Sequence, residues 1–401
     1  MRILHVTPYM DRRAGGPPVV VEHFVRESNR LGHASRIIST PQFCEGNSAA
    51  LIARLNEIAP TIFVSRSPFK IALNSTGKRD IANYIAAVDI VHVHTLWNPI
   101  NVLVRRECNR QGRPYVLMPH GMLDPYSLSI NRVRKALYLW LVEGKNITSA
   151  ERIVYTTNEE ARLASDAPLS LPKAAIVPLG ANAPPCSHRS ASIFLEHFPK
   201  ARNRRQLLFL GRLHWKKGLD HILAILPSII KSFPDVLLTI AGAGEPRFTE
   251  AMTKVVLSQG LEHHVLVTGM LEGALKWGAY ASAEVFLLPS RQENFAITVA
   301  EAMQMGLPVI ISNRVNTWPY VKEAGAGLIL EEGDLEKGLK EGLVTLLANP
   351  DVAKRMGEAG YVYSRTHLTW PKAADCLVKC YDEVVQSFAA KQQLARIKET
   401  H

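Results

Sequence analysis

Apolar residues follow two regular patterns along the chain, short continuous runs and helical spacings. "MRILHVTP" is a short apolar run that ends in "DRRAGGPP" and is followed by "VVVEHFVRESNRLGH", which has helical spacing and stops at a glycine. This order predicts a strand, a glycine loop and a helix. Similar runs return in "VDIVHVHTLW", "PYVLMPHG" and "ERIVYTTNEEARLA". Short buried strands separated by helices predict a parallel sheet with helices on both faces.

The periodicity is lost around "PLGANAPPCSHRSASIFLEHFPKARNRR", where Pro, Ser and Arg accumulate, and we place an interdomain linker there. A second series of strand candidates follows: "QLLFLGRL", "VLLTIAGAGE", "HVLVTGML", "AEVFLLPS" and "LPVIIS". The final "WPKAADCLVKCYDEVVQSFAAKQQ" is predicted to be one amphipathic helix. The pattern therefore predicts two α/β domains, residues 1–183 and 184–370. The helix over residues 371–392 is expected to pack back on the first domain.

Length and composition agree with two globular domains. The chain has 401 residues, more than the ~100–200 residues of an ordinary domain, and is 47% hydrophobic and 21% charged. No stretch approaches ~18 uncharged apolar residues, and polar groups interrupt "MRILHVTPYMD" too early for a secretory signal. A cytoplasmic protein is therefore expected. The cysteines lack paired CxxC spacing, so neither a disulfide framework nor a zinc site is expected. They are Cys44, Cys108, Cys186, Cys376 and Cys380.

The net charge of +11 is concentrated in the first half of the chain. Residues 1–185 contain 22 Lys and Arg against 14 Asp and Glu, which gives +8 and leaves +3 for the remainder. Nucleic acid, anionic lipid and phosphorylated small molecules would all be attracted to such a surface. The charge alone does not choose among them.

Two cations lie in a loop that follows a predicted strand. "GRLHWKKG" places Arg212 and Lys217 directly after "LLFLG". In open parallel sheets the ligand crevice lies at the carboxyl ends of the strands, so these cations are well placed to bind a diphosphate. A solvated basic loop is the alternative. "IAGAGEP" lacks the third glycine of a dinucleotide fingerprint and is better explained as a tight turn.

Glycines and histidines follow other predicted strands. Gly15 and Gly16 in "RRAGGPP" would let a ligand approach the backbone, although a plain loop has the same sequence. His92 and His94 are expected to be structural, whereas His120 ends the "PHG" strand and is expected to project into the crevice. There is no D-x-D pair, and no histidine has carboxylates at ligand spacing. A catalytic metal is therefore not expected.

The stretch "RQENFAITVAEAMQMGLPVI" carries two acids, Glu293 and Glu301, in a segment that otherwise reads as buried. We predict a helix here with Asn294 as the N-cap. Its first-turn amides would then donate to a phosphate, with one acid on either side of that phosphate. These amides are those of Phe295, Ala296 and Ile297.

Together, "FLGRLHWKKGLD" and "SRQENFAITVAEAMQMGLPV" resemble the paired signatures of retaining, nucleotide-sugar-dependent glycosyltransferases of the GT-B fold, family four. The resemblance extends to "HVTP…GGPPVVV", "DIVHVHTLW", "PHGMLDP" and "TWP", so it covers essentially the whole chain. It implies two Rossmann-like domains with parallel sheets that face each other across a cleft. It also implies roles for individual residues: Arg212 and Lys217 bind the donor diphosphate, Glu293 and His120 face the transferred sugar, Glu301 holds the ribose, and the backbone near Met270 and Leu271 holds the base.

The chain departs from the family pattern at two places. Where the family often has Glu-Gly-Phe-Gly, residues 293–296 are Glu-Asn-Phe-Ala, and Leu179 and Asn182 replace the common Asn and Asp. These changes bear on which sugar is accepted. "HGMLDP" and "ENFAITVAEAM" are also similar to envelope-polysaccharide glucosyltransferases of cyanobacteria, which make the heterocyst envelope.

The resemblance implies a retaining, metal-independent hexosyltransferase. We expect glucose to move from UDP-glucose to a glycan or lipid-linked acceptor in polysaccharide biosynthesis, with no cofactor beyond the donor and no nucleic-acid partner. Attack on the same face as the leaving group is implied, with Glu293 orienting the sugar. The alternatives are a GT-B nucleotide-sugar epimerase and a non-catalytic module that binds nucleotide sugars or glycans.

A basic, apolar segment suggests one further partner. "NRVRKALYLWLVEGKN" places its larger apolar side chains on one helical face with cations beside it. The apolar residues are Val133, Leu137, Trp140 and Leu141, and the cations are Arg132, Arg134 and Lys135. This pattern predicts binding to an anionic membrane surface, so peripheral association with the inner face of a membrane is included in the expectation. A core helix with a basic rim is the alternative.

Overall fold

The chain forms two compact units in the computed structural model. The structure describes residues 1–42, 44, 48–64, 75–184 and 188–399, so Cys186 lies outside the described residues. The first unit comprises Met1–Leu179 and Trp370–His401, and the second comprises Gly180–Thr369. Each unit is built on one parallel sheet flanked by helices. The prediction of two Rossmann-like α/β domains is therefore confirmed.

The first unit has seven strands among its described residues, in the order β3-β2-β1-β4-β5-β6-β7. All neighbouring strands are parallel, and the order changes direction between β1 and β4. The strands are β1 (Arg2–Val6), β2 (Ala34–Ser39), β3 (Thr61–Phe63), β4 (Ile90–His94), β5 (Tyr115–Met118), β6 (Arg152–Tyr155) and β7 (Ala174–Ile176). The helices are α1 (Gly16–Arg30), α2 (Ser48–Asn56), α3 (Ser75–Ala86), α4 (Pro99–Gln111), α5 (Pro125–Ser129), α6 (Arg132–Tyr138), α7 (Gly144–Thr148) and α8 (Asn158–Ala164), with a π-helical turn at Leu139–Glu143.

The second unit has six strands in the order β10-β9-β8-β11-β12-β13, again all parallel. Here the order changes direction between β8 and β11. The strands are β8 (Arg205–Leu210), β9 (Val236–Ala241), β10 (Val265–Gly269), β11 (Val285–Leu288), β12 (Val309–Ser312) and β13 (Gly327–Leu330). The helices are α9 (His188–His197), α10 (Leu219–Ser232), α11 (Pro246–Ser258), α12 (Gly273–Ser282), α13 (Ile297–Gln304), α14 (Trp318–Ala324), α15 (Leu335–Ala348) and α16 (Pro350–His367).

The helix α9 corrects the prediction of a linker without periodicity around residues 178–205. Phe194 is fully buried, and a side chain at Gly278 of α12 would overlap the α9 backbone at Ser190 and the Cβ of Phe194. Close packing of α9 against α12 therefore stabilises this helix. Tertiary contacts of this kind override a weak local pattern.

The last helix, α17 (Trp370–Glu399), belongs to the first unit and packs on α1. The buried Trp370 stacks on the ring of His23, with the ring centroids 4.2 Å apart. Among the described residues, no helix is both long enough and apolar enough to cross a lipid bilayer.

Candidate active site

The loops after β8 and β11 lie at the point where the strand order of the second unit changes direction. In open α/β sheets, ligands bind outside the carboxyl ends of the strands at such a point. Gly218 closes the loop after β8 with φ 73° and packs directly on the carbonyl oxygen of Pro289, which a Cβ would overlap. The Arg291 N–H donates to the carbonyl of Lys216 at 2.7 Å. The two loops are thus held against each other.

An ion pair joins the two loops. Lys217 Nζ contacts Glu293 Oε2, and the two side chains are only 13% and 16% exposed. Burial lowers the pKa of Lys217, and the cations of Lys216 and Arg212 lower it further. The Glu293 carboxylate opposes these effects because it favours the charged ammonium. The structure therefore brings together Arg212, Lys217 and Glu293, which sequence analysis had found in two separate motifs. It adds Lys216, which sequence analysis had not singled out.

Backbone hydrogen bonds fix the position of Glu293. Its N–H donates to the carbonyl of Arg314 at 2.9 Å, and its carbonyl accepts from the N–H of Asn316 at 3.0 Å. These bonds form an isolated parallel bridge between Glu293 and Val315. The loop after β12 therefore holds the backbone of Glu293 in place.

The helix that follows Glu293 begins later than predicted. Its N-cap is Ala296, which has φ 54° and ψ 71° and makes no side-chain capping bond, so the prediction of Asn294 as the N-cap is wrong. Glu293 lies in a β-bridge, the chain bends at Asn294, and α13 begins directly after the left-handed Ala296. Of the predicted amides, only that of Ile297 belongs to the helix, while Phe295 and Ala296 precede it. In the first turn, the Val299 N–H donates to the carbonyl of Ala296 at 2.8 Å. The N–H groups of Ile297 and Thr298 have no acceptor within the helix, as at any helix start.

Glu301 lies in α13 and connects this helix to α12. Its Oε2 accepts from the hydroxyl of Tyr280 at 2.9 Å, and its Oε1 pairs with Lys276. Sequence analysis missed both partners. A carboxylate has about four acceptor sites, so Glu301 retains capacity for another donor. Its role at a ribose stays a prediction.

The predicted base-binding residues follow β10, at one edge of the same sheet. Met270 is exposed and Leu271 is buried. Because all strands are parallel, these residues lie at the same end of the sheet as the loops after β8 and β11. Contact of their backbone with a base stays a prediction.

In the first unit, histidines gather where the strand order changes direction. His5 on β1 and His92 on β4 are register partners. His5 Nδ1 lies 3.0 Å from His94 Nε2, and His94 Nδ1 lies 3.1 Å from His120 Nε2. His92 stacks on His94 and its Nδ1 is 2.5 Å from the hydroxyl of Tyr381. The predicted site residue His120 is therefore connected to two buried histidines.

Burial favours the neutral form of these histidines. Burial lowers the pKa of His5 and of His120 to about 3, and it also lowers the pKa values of His92 and His94. Among the described residues, ring nitrogens of His5, His92 and His94 lie within 4.8 Å of one another, close enough to share an ion. The expectation of no catalytic metal stays untested.

The backbone around His120 has unusual conformations. Thr95, Trp97 and His120 have backbone φ values of 68°, 63° and 53°. Residues other than glycine rarely adopt this left-handed region. All three residues closely follow β4 or β5. Such conformations cluster at functional sites because the surrounding structure holds them in place.

A buried acid that sequence analysis missed supports the backbone after His120. Glu160 Oε1 accepts from the N–H of Gly121 at 2.6 Å, and Oε2 accepts from the N–H and hydroxyl of Thr156, both at 2.7 Å. The Thr157 hydroxyl caps the N–H of Glu160 at 2.9 Å. The spacing of Thr157 and Glu160 matches a capping box, a signal that could have identified this acid.

The predicted glycine loop of the first unit leads into α1. Gly15 has φ 107° and is the N-cap, and α1 begins at Gly16. A Cβ at either position would meet no atom within 4 Å. The space above these glycines is therefore open, and their contact with a ligand stays a prediction.

Both halves of the chain match known families. The family described as "Glycosyltransferase Family 4" matches residues 14–183, and the family described as "Glycosyl transferases group 1" matches residues 193–363. The two matches fall in the two structural units and together cover most of the chain.

Curated relatives support the same assignment. A phosphatidyl-myo-inositol mannosyltransferase of Mycobacterium leprae is 31% identical over 193 residues, which is 48% of this chain and 50% of the relative. A D-inositol 3-phosphate glycosyltransferase of Segniliparus rotundus is 25% identical over 301 residues, 73% of this chain and 65% of the relative. The chain thus spans about half the length of the first of these relatives.

Solved structures share the fold. The Anabaena Alr3699/HepE structure in complex with UDP and glucose has a TM-score of 0.76 at 15% identity and covers 96% of this chain and 100% of its own. A sucrose-phosphate synthase from Thermosynechococcus elongatus has a TM-score of 0.75 at 17% identity and covers 97% and 99%. With two parallel-sheet units and a family match in each, the chain belongs to the glycosyltransferases of the GT-B type.

Proposed function

We propose that the protein transfers a hexose with retention from a nucleoside diphosphate sugar, UDP-glucose, to a glycan or lipid-linked acceptor. The observation that carries this proposal is the Lys217 and Glu293 pair, with Arg212 and Lys216 nearby, where the strand order of the second unit changes direction. A diphosphate is negatively charged and is therefore complementary to these cations. Fixed cations aimed at a leaving group can contribute several kcal/mol to catalysis.

In the proposed reaction, Arg212, Lys217 and the first-turn amides of α13 stabilise the charge that develops on the departing diphosphate. The acceptor hydroxyl attacks the anomeric carbon on the face from which the diphosphate leaves, and a phosphate oxygen takes the hydroxyl proton. Glu293 orients the sugar and faces the anomeric centre as that centre becomes positive. His120 donates a hydrogen bond to the sugar. The proposal needs no metal ion.

Two sets of relatives favour different donors. The Anabaena structures contain UDP, glucose or UDP-glucose, which supports UDP-glucose, although their identity to this chain is only 15–16%. The relative from Mycobacterium leprae is a mannosyltransferase at 31% identity, and a Corynebacterium glutamicum relative at 30% is named as GDP-mannose-dependent. GDP-mannose is therefore the second candidate.

The donor is tested by melting curves with UDP-glucose, GDP-mannose and ADP-glucose, together with detection of the released nucleotide. A ligand that binds only the native state stabilises it, so UDP-glucose is expected to raise the melting temperature most. UDP and GDP alone serve as controls that separate recognition of the base from recognition of the sugar. Stabilisation and turnover with GDP-mannose alone would replace UDP-glucose as the donor.

The two acids are tested separately. Glu301→Ala is expected to weaken UDP binding roughly ten- to a hundred-fold, the effect of losing a hydrogen bond to a charged group, ~1.5–3 kcal/mol. Glu293→Ala is expected to lower kcat and leave UDP affinity nearly intact. Tyr280→Phe and Lys276→Met are matched controls, because each removes one partner of Glu301 and keeps the carboxylate. If these two variants lose UDP binding as strongly as Glu301→Ala, Glu301 is structural.

The acceptor side is proposed to meet an anionic membrane surface. The apolar face predicted for α6 and the π-helical turn is open to solvent, with Val133 83% and Trp140 77% exposed. Leu137 and Leu141 are also more than half exposed, so the alternative of a core helix is wrong. Exposed Arg132 and Arg134 lie on the same helix. Apolar side chains flanked by cations are typical of helices that bind anionic interfaces.

Vesicle flotation tests this surface. The protein is expected to float with anionic vesicles, to float less with neutral ones, and to lose binding in the Val133→Ser and Trp140→Ser double variant. Val362→Ser is the matched control, since Val362 is a similarly exposed apolar residue on α16. Equal binding to neutral and anionic vesicles, or no binding to either, would remove the proposed membrane surface.

A further inference from the structure

Three histidines of the first unit form one hydrogen-bonded chain that starts in the core and ends at His120. His5 and His94 are fully buried, and His120 is half-buried. The ring nitrogens that face each other are 3.0 Å apart between His5 and His94 and 3.1 Å apart between His94 and His120. Two lone pairs at these distances would repel. Each contact therefore contains one proton.

Counting protons leaves two arrangements of the chain. A neutral imidazole carries one N–H and one acceptor nitrogen, and both nitrogens of His94 are used. In the first arrangement His120 donates from Nε2 to His94, and His94 donates to His5 Nδ1. In the second, His5 donates from Nδ1 to His94, and His94 donates to His120 Nε2. His120 then carries its own proton on Nδ1.

His5, at the buried end of the hydrogen-bonded histidines, decides between the two arrangements. His5 Nε2 is buried and has no hydrogen-bond partner. The first arrangement places a proton on this nitrogen and buries an unpaired N–H, whereas the second leaves an unpaired lone pair. Among buried backbone groups, orphaned N–H donors are rarer than under-satisfied acceptors. Applied to the imidazole ring, the same preference favours the second arrangement.

We propose that His5 and His94 are positioning residues that hold His120 as a neutral ring protonated at Nδ1, so that it donates a hydrogen bond to an oxygen of the sugar. No described residue occupies Nδ1, which leaves it for a ligand. The oxygen as ligand rests on the proposed function, while the protonation pattern does not. The buried histidine takes the place of the carboxylate or carbonyl that commonly sets a histidine tautomer.

A neutral donor suits the proposed reaction better than a charged one. The anomeric centre gains positive charge in the transition state, and a cationic imidazolium beside the sugar would oppose that charge. A neutral N–H still fixes the sugar oxygen. The buried chain therefore supplies hydrogen bonding to the sugar without adding charge.

The protonation pattern is tested in the free protein by ¹⁵N-detected NMR of the imidazole rings, with His120 assigned from the His120→Gln variant. The proton of His120 is expected on Nδ1 in the wild type and in His5→Asn, whose amide can donate from the same position. His5→Leu removes the first donor and is expected to release the tautomer. A wild-type His120 protonated at Nε2 would overturn the proposal.

Kinetics give a second test. His5→Leu is expected to lower kcat roughly tenfold, the effect of one hydrogen bond in the transition state, with UDP affinity unchanged, and His5→Asn is expected to recover most of the loss. His92→Leu is the matched control, because His92 is equally buried and stacks on His94 but bonds to Tyr381 instead. An equal loss in His92→Leu would reduce the effect to packing and overturn the proposal.

A metal ion bound by His5, His92 and His94 is the competing explanation of the cluster. Elemental analysis of the purified protein distinguishes the two, since one equivalent of metal that is lost in His92→Leu would overturn the proton chain. If no sugar donor is turned over, the proposed function fails, and the NMR experiment still decides the tautomer. If His5→Leu does not fold, the wild type and His5→Asn remain decisive.

Discussion

The two sheets carry opposite chemistry at equivalent places. Where the strand order of the first unit changes direction, between β1 and β4, the buried groups are neutral imidazoles. Between β8 and β11 of the second unit, the corresponding loops are joined by the ion pair of Lys217 and Glu293. In sheets of this type the topology sets where a ligand can bind, and the side chains set what chemistry it meets there. The second unit is equipped for charge and the first for hydrogen bonding.

One buried acid of each unit shows the same contrast. Glu301 of the second unit is paired with Lys276. Glu143 of the first unit has uncharged partners, the side-chain amides of Asn101 at 3.3 Å and Asn146 at 3.5 Å and the backbone N–H of Trp97, and burial raises its pKa to about 7. Asn101 also donates to the carbonyl of Thr95, which follows His94. Burial therefore favours the neutral form of one acid near the histidines, although Glu22 of the same unit is paired with Arg12 and Arg54.

Removing the positive charge of Lys217 in the second unit is expected to have the largest effect, which is on catalysis. Lys217→Ala should lower kcat/KM for UDP-glucose by roughly 10²–10³, the usual loss when a group that stabilises the leaving charge is removed. It also leaves Glu293 without its cation. Steady-state kinetics and UDP titration measure the change, with Lys231→Ala on α10 as a charge-matched control. Equal losses in the two variants would show that net charge, rather than the ion pair, matters.

Replacing Glu143 of the first unit with a neutral glutamine is expected to have an intermediate effect, which is on stability. The folded protein holds the Glu143 proton up to about pH 7, whereas the unfolded chain releases it near 4.5. Wild-type stability therefore falls as the pH rises from about 4.5 to about 7 and does not recover above that range. Glu143→Gln lacks this loss. Relative to wild type, its stability should increase by up to about 3 kcal/mol between pH 5 and pH 8.

Urea unfolding at the two pH values measures the effect of Glu143→Gln. Glu107→Gln is the control, because Arg110 lowers the pKa of Glu107 and its protonation is complete only below this range. A constant difference between Glu143→Gln and wild type across the range would show that Glu143 is charged. Glu143 would then not belong with the neutral groups of the first unit.

The smallest effect is expected from the left-handed residue that starts α13. The left-handed conformation at Ala296 costs a non-glycine residue ~1–2 kcal/mol, and Ala296→Gly removes this cost. Part of the gain in stability is lost again, because glycine has more conformational freedom in the unfolded chain. The melting temperature should rise by roughly 2–4 °C or less, with UDP affinity unchanged. Asn203→Gly is the control, since Asn203 has φ 57° but Asn tolerates this region. A fall in melting temperature would mean that packing of the Ala296 methyl outweighs the strain.

The sequence predicted the fold because buried parallel strands read as continuous apolar runs, as in "IVHVH" and "VLLTIA". It also predicted the loops that carry Lys217 and Glu293, since both directly follow such runs. Helix boundaries were less accessible. The N-cap at Ala296 depends on the bridge between Glu293 and Val315, which no local pattern reveals.

Contacts between distant residues were not accessible from spacing at all. His5 and His94 meet because β1 and β4 are neighbours, although 89 positions separate them along the chain. Glu301 and Tyr280 meet because their side chains bridge α13 and α12. Sequence analysis could place each side chain at the end or on the face of an element, but the pairing is a property of the assembled sheet and its helices.

The return of α17 to the first unit has a consequence for synthesis. Trp370 stacks on His23, and the Tyr381 hydroxyl contacts His92 in the histidine cluster. The packing of the first unit, whose sheet starts with β1, is therefore completed by α17. A ribosome releases those residues only after the whole second unit has emerged. The first unit is therefore begun first and finished last, and His92 lacks its Tyr381 partner until the second unit has been synthesised.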